Sequence, residues 1–177
     1  MSKPQLYILS DIFGSSEKEW MKEYVRELSP FFEITSFDSR ELAGIHTLPQ
    51  SEVHAEFVNG GIDSAVENLH KIWSVPDAIL GFSVGGTIAW KYAQQIPNLR
   101  LYLISATRIR NEEVQPPCSV HLYFGELEEH GPKREWFENH DLIPIVIKAE
   151  GHECYKVNHL IQQIRVNLLE DFQLLQK

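Results

Sequence analysis

Cysteine is scarce in this chain of 177 residues, which carries only Cys118 and Cys154. A small secreted domain held by disulfides uses more of them, so a reducing compartment is expected. Basic charge is also short. Sixteen Lys and Arg stand against 25 Asp and Glu, a formal net charge of −9, and no basic stripe is visible that could follow a phosphate backbone. Nucleic acid is excluded as a partner on that ground, and an anionic membrane surface with it. Long apolar runs are missing too. The first, Leu6 to Leu9, is far shorter than a spanning helix or a signal segment and runs at once into Asp11. What is present is 43% hydrophobic residues in a chain long enough to bury roughly 70% of the surface its unfolded state exposes, with no need of a staple. These features predict one domain spanning residues 1–177, in the cytoplasm.

Short apolar runs alternate with amphipathic stretches along the whole length. The runs are Leu6 to Phe13, Phe32 to Phe37, Ala78 to Phe82, Leu99 to Ile104, Val120 to Phe124 and Ile143 to Ala149. Each is continuous rather than alternating, which predicts parallel strands buried on both faces, with helices between them. A first helix is marked by a capping-box pattern at Ser16 and Glu19, a face of Met21, Val25 and Leu28, and a stop at Pro30. A second carries Ile62, Val66, Leu69 and Trp73. A third begins after Ser83 and ends before Pro97. The last shows one stripe through Val157, Leu160, Ile161, Ile164, Leu168, Phe172 and Leu175. Residues 39–59 have no firm pattern and predict a loop with one short helix around Glu52 to Phe57, long enough to serve a function.

Gly81-Phe82-Ser83-Val84-Gly85 spells G-x-S-x-G between a buried strand and a helix. The bare letters would occur in roughly one random chain in twenty, so the strand before and the helix after carry the inference. A nucleophile on such a sharp turn leaves no room for side chains two residues to either side. The plainer reading is a glycine-rich turn whose Ser83 caps the helix. Two phosphate motifs are excluded: Thr87 stands where a P-loop requires lysine, and only Gly14 follows the first strand, where a dinucleotide fingerprint would need more glycines.

A serine hydroxyl needs a base to take its proton, and the base needs an acid to hold its tautomer. Of eight histidines, His152 alone lies just beyond the final strand, where a loop could return to Ser83. His159 falls inside the last helix, and His121 begins a strand at the opposite edge. For the acid, the turn Gly125-Glu126-Leu127-Glu128-Glu129 offers three carboxylates, which are otherwise a solvated acidic loop. His152, Cys154 and Cys118 lack the spacing of a zinc site, so no metal is expected.

Taken together, these residues resemble the α/β-hydrolase superfamily in the chain order Ser83, acid, His152. GFSVGG at Gly81 to Gly86 looks like the nucleophile elbow of small serine hydrolases and dienelactone-hydrolase-like enzymes. Gly125 to Glu128 is similar to the family's G-x-x-D turn, which selects Glu128 as the acid, with glutamate replacing aspartate. The resemblance implies a three-layer α/β/α sandwich around a six-stranded parallel sheet of order 2-1-3-4-5-6, with the family's first two strands missing. A ligand would then bind at the switch point beyond the strand ends, near Phe13 and Ser83. It also implies an oxyanion hole from the backbone N–H groups of Val84 and of Ile12, the latter by matching Ser10 to Gly14 with the family's H-G-x-x-G. The substrate is expected to be a small ester or thioester, with no cofactor. Ser10-Asp11 departs from the family's His-Gly. A carboxylate aimed at the hole would oppose the developing negative charge, so Asp11 must turn away, bond locally or mark an altered activity. That departure motivates the competing reading, a catalytically silent hydrolase-fold binding module.

Two further expectations follow from the connection after Ile104. It spans only about fifteen residues before the next strand, which suits a loop and leaves no room for a lid. It also carries Arg108 and Arg110, which would share one side if the segment is extended and could meet a substrate carboxylate or phosphate. The plainer reading pairs them with Glu112, Glu113 or solvent.

Overall fold

Alternate side chains of the apolar runs fill two separate cores, one on each face of a sheet. The structure is a computed structural model that describes residues 2–14, 18–46 and 49–174. Its strands are β1 (Gln5–Leu9), β2 (Glu33–Phe37), β3 (Ala78–Phe82), β4 (Arg100–Ile104), β5 (Ser119–Gly125) and β6 (Ile145–Ile147). All pairings are parallel, in the order β2-β1-β3-β4-β5-β6. Tyr7, Leu9, Ile79, Leu101, Leu103 and Leu122 face one core, beneath α4 (Ile62–His70) and α5 (Val84–Tyr92). Leu6, Ile8, Leu80, Phe82, Tyr102 and Tyr123 face the other, beneath α1 (Glu19–Leu28) and α7 (Asn158–Asp171). This is the three-layer sandwich the resemblance implies.

The structure trims several expectations. β1 ends at Leu9: the Ser10 N–H still reaches Phe37 O of β2 at 3.1 Å, and the chain then turns, with Gly14 N–H on Asp11 O at 3.2 Å. β2 and β6 are edges, and Thr35, Ser36 and Val146 are exposed rather than covered on both sides. Ser16 and Leu175 lie outside the described residues, and Lys18 occupies the position before α1. Trp73 does not continue the α4 face. It is fully exposed, because the helix has ended and Ser74 O accepts a 2.7 Å hydrogen bond from the Tyr7 hydroxyl, drawing the chain toward β3.

The segment expected as mostly loop is largely helical. Asp38 caps α2 (Ser39–Ala43) by accepting from the N–H of Arg40 and Glu41, and Gly44, at φ 74°, ends it. The short helix α3 (Gln50–Glu56) follows and meets α4 through a kink at Gly60, where φ is 119°. After β5 a further short helix, α6 (Arg134–Asn139), precedes β6. No described helix is long and apolar enough to cross a membrane.

Candidate active site

Ser83 sits where β3 stops and α5 starts, with φ 51° and ψ −115°, a conformation non-glycine residues seldom adopt. Its N–H is tied to Ile104 O at 2.8 Å. The glycines around it are needed for close approach. A Cβ on Gly85 would stand 2.4 Å from Ser10 O, one on Gly81 would stand 2.7 Å from Gly86 Cα, and one on Gly86 would stand 2.7 Å from Ala106 Cβ. The elbow is therefore wedged between the ends of β1 and β4, and Ser83 points out beyond the strand ends.

The acid turn and the histidine loop are wedged together in the same way. A Cβ on Gly125 would lie 2.3 Å from the carbonyl oxygens of Glu150 and Gly151. Glu126 N–H donates to Ile147 O and Leu127 N–H to Glu150 O, both at 2.8 Å. Between these turns the structure brings Ser83, His152 and Glu128 into one line. Ser83 Oγ lies 2.9 Å from His152 Nε2, and His152 Nδ1 lies 2.5 Å from Glu128 Oε2. Glu128 Oε1 also accepts the His130 N–H at 3.0 Å. A carboxylate can only accept, so the proton resides on Nδ1, Nε2 is the acceptor, and the serine hydroxyl donates to it. The Glu128 side chain is only 4% exposed, whereas that of His152 is 39% exposed. The acid is thus sheltered while the imidazole faces the cavity, an arrangement that can move the hydroxyl proton.

Glu126 points elsewhere. Its carboxylate takes Lys148 Nζ at 2.7 Å and the Ala149 N–H at 3.0 Å, and the hydrogen bond from Lys148, first, holds its pKa below the usual carboxylate range. Asp11 is bonded locally. Oδ1 accepts the Phe13 N–H at 2.9 Å and Oδ2 accepts the Tyr155 hydroxyl at 3.2 Å, while burial, outweighing these bonds, raises its pKa. Among the described residues, the N–H groups of Ile12 and Val84 have no protein acceptor, and both residues line the cavity above Ser83.

That cavity measures about 420 Å³. Arg108 and Arg110 lie on its wall, but in a turn of 3₁₀-helix over Thr107–Asn111, not an extended segment. Sequence reasoning did not reach His54, Phe57, Val58, Thr87 and His130, which complete the lining. For His54, Phe57 and Val58 the one available signal was the long patternless stretch, which folds back over the strand ends. The remaining histidine candidates are apart from the site: His159 is exposed on α7, and His121 pairs with Asp171 at 2.9 Å. Among the described residues, no three His, Cys, Asp or Glu side chains gather as metal ligands would.

Solved structures share this architecture. Est1E from Butyrivibrio proteoclasticus matches with a TM-score of 0.64 at 15% identity, over 97% of this chain and 89% of that one. An alpha-beta serine hydrolase homologue from Coxiella burnetii matches with a TM-score of 0.64 at 14% identity, over 97% and 86% of the two chains. A serine hydrolase without lid from Xanthomonas campestris matches with a TM-score of 0.58 at 14% identity, over 96% and 82%. No protein-family model and no curated protein matches the chain. At such identities the likeness is one of fold, and the fold is that of the α/β hydrolases.

Proposed function

We propose that the protein is a serine hydrolase that cleaves a small ester or thioester through an acyl-enzyme on Ser83. The observation that carries this reading is the unbroken line from Ser83 Oγ through His152 to Glu128, 2.9 and 2.5 Å per step, opening onto a cavity. In the first half-reaction Ser83 Oγ attacks the carbonyl carbon and its proton passes to His152 Nε2. Glu128 holds Nδ1–H and stabilises the imidazolium. The N–H groups of Ile12 and Val84 receive the oxyanion. Collapse expels the alcohol or thiol, which takes the proton from His152. Water then repeats the sequence on the acyl-enzyme, releasing the acid and restoring the serine. These steps use the chain's own groups and call for no cofactor.

A cytoplasmic setting belongs to the same reading. Both cysteines are free thiols, and burial pushes that of Cys118 up to about 11, which keeps it protonated and slow to oxidise. So does a single lidless domain. Ser105 to Cys118 holds one 3₁₀ turn and loop, so activity should not jump on lipid aggregates.

A fluorophosphonate probe tests the reading. Ser83 is expected to be labelled, and Ser83→Ala and His152→Ala are expected to abolish labelling. Glu128→Gln should slow hydrolysis of an activated ester by up to about 10⁴-fold, and Glu126→Gln far less. A folded protein that resists the probe would instead support a silent binding module, and a reversed ranking of the glutamates would remove Glu128 from the line.

A further inference from the structure

In a chain with 25 acidic and 16 basic residues, no aspartate or glutamate among the described residues lines the Ser83 cavity. Two arginines and three histidines, His152 included, stand on its wall. The two arginines are not equivalent. Arg110 Nη1 is spent on backbone, donating to Thr107 O at 2.9 Å and His130 O at 3.0 Å. Arg108 is half-buried and, among the described residues, makes no hydrogen bond or ion pair. The neighbouring acid Glu112 does not take it, since that carboxylate lies beside Lys91 at 4.0 Å. Its guanidinium nitrogens are still open to solvent, so the fork is uncommitted and can meet an acceptor that a ligand brings into the cavity. Thr87, also on the wall and 2% exposed, keeps a buried hydroxyl with no hydrogen-bond partner.

We infer that the cavity takes an ester bearing a second, free carboxylate, and that Arg108 receives that carboxylate through its guanidinium fork. One uncommitted guanidinium matches one planar monoanion in charge and shape, whereas a phosphate monoester would bring two charges to a site where Arg110 is already engaged. The apolar wall of Ile12, Phe57 and Val58 suits a short methylene chain between the two carbonyl ends. A half-ester of a short dicarboxylic acid has this form. The inference rests on Ser83 as the nucleophile, because only then does the ester end belong beside it.

Two measurements keep the ideas separable. In the Ser83→Ala protein, which cannot turn over, monomethyl glutarate is expected to bind at least tenfold more tightly than methyl butyrate by calorimetry. Arg108→Gln in that background should remove about tenfold of that binding, the loss of one charge-assisted contact, and Arg110→Gln should remove less. In the unaltered protein, the ratio of kcat/KM for 4-nitrophenyl hydrogen glutarate over 4-nitrophenyl butyrate is expected to fall about tenfold with Arg108→Gln, mainly through KM. A parallel comparison of 4-carboxyphenyl acetate with phenyl acetate asks whether the anion belongs on the leaving-group side, and a preference there in place of the glutaryl ester would overturn the half-ester assignment. Equal binding of the charged and neutral ligands, or indifference to Arg108→Gln, would overturn the carboxylate site. Binding of monomethyl glutarate by a protein that never labels with fluorophosphonate would leave the anion site standing and remove the hydrolase.

Discussion

Asp11 is a carboxylate buried at 1% exposure beside the turn that presents Ile12. Its two oxygens hold that turn from beneath, one on the Phe13 N–H and the other on the Tyr155 hydroxyl. Burial raises its pKa against smaller lowering contributions from Phe13 N–H, Lys18, Tyr155 and Lys156. The folded state therefore favours the protonated form more than the unfolded chain does. Its contribution to stability is full at pH values below the ordinary carboxylate range and is lost as pH rises through the raised value. At pH 7 Asp11→Asn should accordingly be more stable than the unaltered protein in a urea titration, and the gap should close as the pH is lowered through the carboxylate range. Asn also keeps an oxygen for the Phe13 N–H. Asp11→Ala does not, and leaving that donor without its acceptor should cost about 1–3 kcal/mol. If the turn then drifts and misplaces Ile12, hydrolysis should slow by about 10²-fold, the typical cost of one oxyanion donor. Full activity in Asp11→Ala would show that the turn holds itself.

The elements that can be read from the sequence are those that bury an apolar run or an apolar face. β3 and β4 are buried almost throughout, so their apolar runs are unbroken; β3 falls where the sequence puts it, and β4 begins one residue later, at Arg100. α2 and α6 bury one serine and nothing, respectively, so they leave no apolar period, and only cap and turn chemistry at Asp38 and Gly44 marks the former. Ser83 and His152 are legible as positions because each follows a strand end, whereas Glu128 is separated from Glu126 and Glu129 only by the resemblance to the family's turn. The cavity wall is not legible, because His54 and Phe57 come to line it through the docking of α3 and the segment that follows it, a tertiary event with no local signature. The joint between the acid turn and the histidine loop is likewise invisible in composition, yet it sets the 2.5 Å contact between Glu128 and His152. Two glycines in it make opposite predictions. Gly125→Ala would drive a methyl group to 2.3 Å from two backbone oxygens, which must part the turns; stability is expected to fall by about 2–4 kcal/mol, and fluorophosphonate labelling with it. Gly151 has nothing within 4 Å of its would-be Cβ, so Gly151→Ala should stay within about 0.5 kcal/mol. Equal denaturant midpoints for the two variants would mean that the loops are not wedged.

Across the whole molecule, the sheet is tied to α7 by a polar cluster at the end of the strands away from Ser83. His121 lies flat against Tyr102, ring centroids 4.6 Å apart and planes 2° from parallel, and its Nε2 meets Asp171 at 2.9 Å. Tyr102 donates to the same carboxylate, joining β4 and β5 to the last turn of α7. The ion pair alone would favour a charged imidazole, but burial is the larger effect, with Arg100 adding to it, and together they lower the pKa of His121 despite Asp171. In the unfolded chain the imidazole titrates near its ordinary value of about 6.5, so below that pH the unfolded state takes up a proton that the native state resists. The stabilisation from His121 is therefore present above about pH 6.5 and lost as pH falls through the lowered native value. His121→Phe retains an aromatic ring for Tyr102 but cannot titrate. Between about pH 7.5 and pH 5.5 the urea midpoint of the unaltered protein should fall more steeply than that of the variant. Parallel pH dependences would place the acid sensitivity of the fold in other groups. A steeper fall in the variant would mean that the Asp171 pair outweighs burial and that His121 is stabilised by its charge.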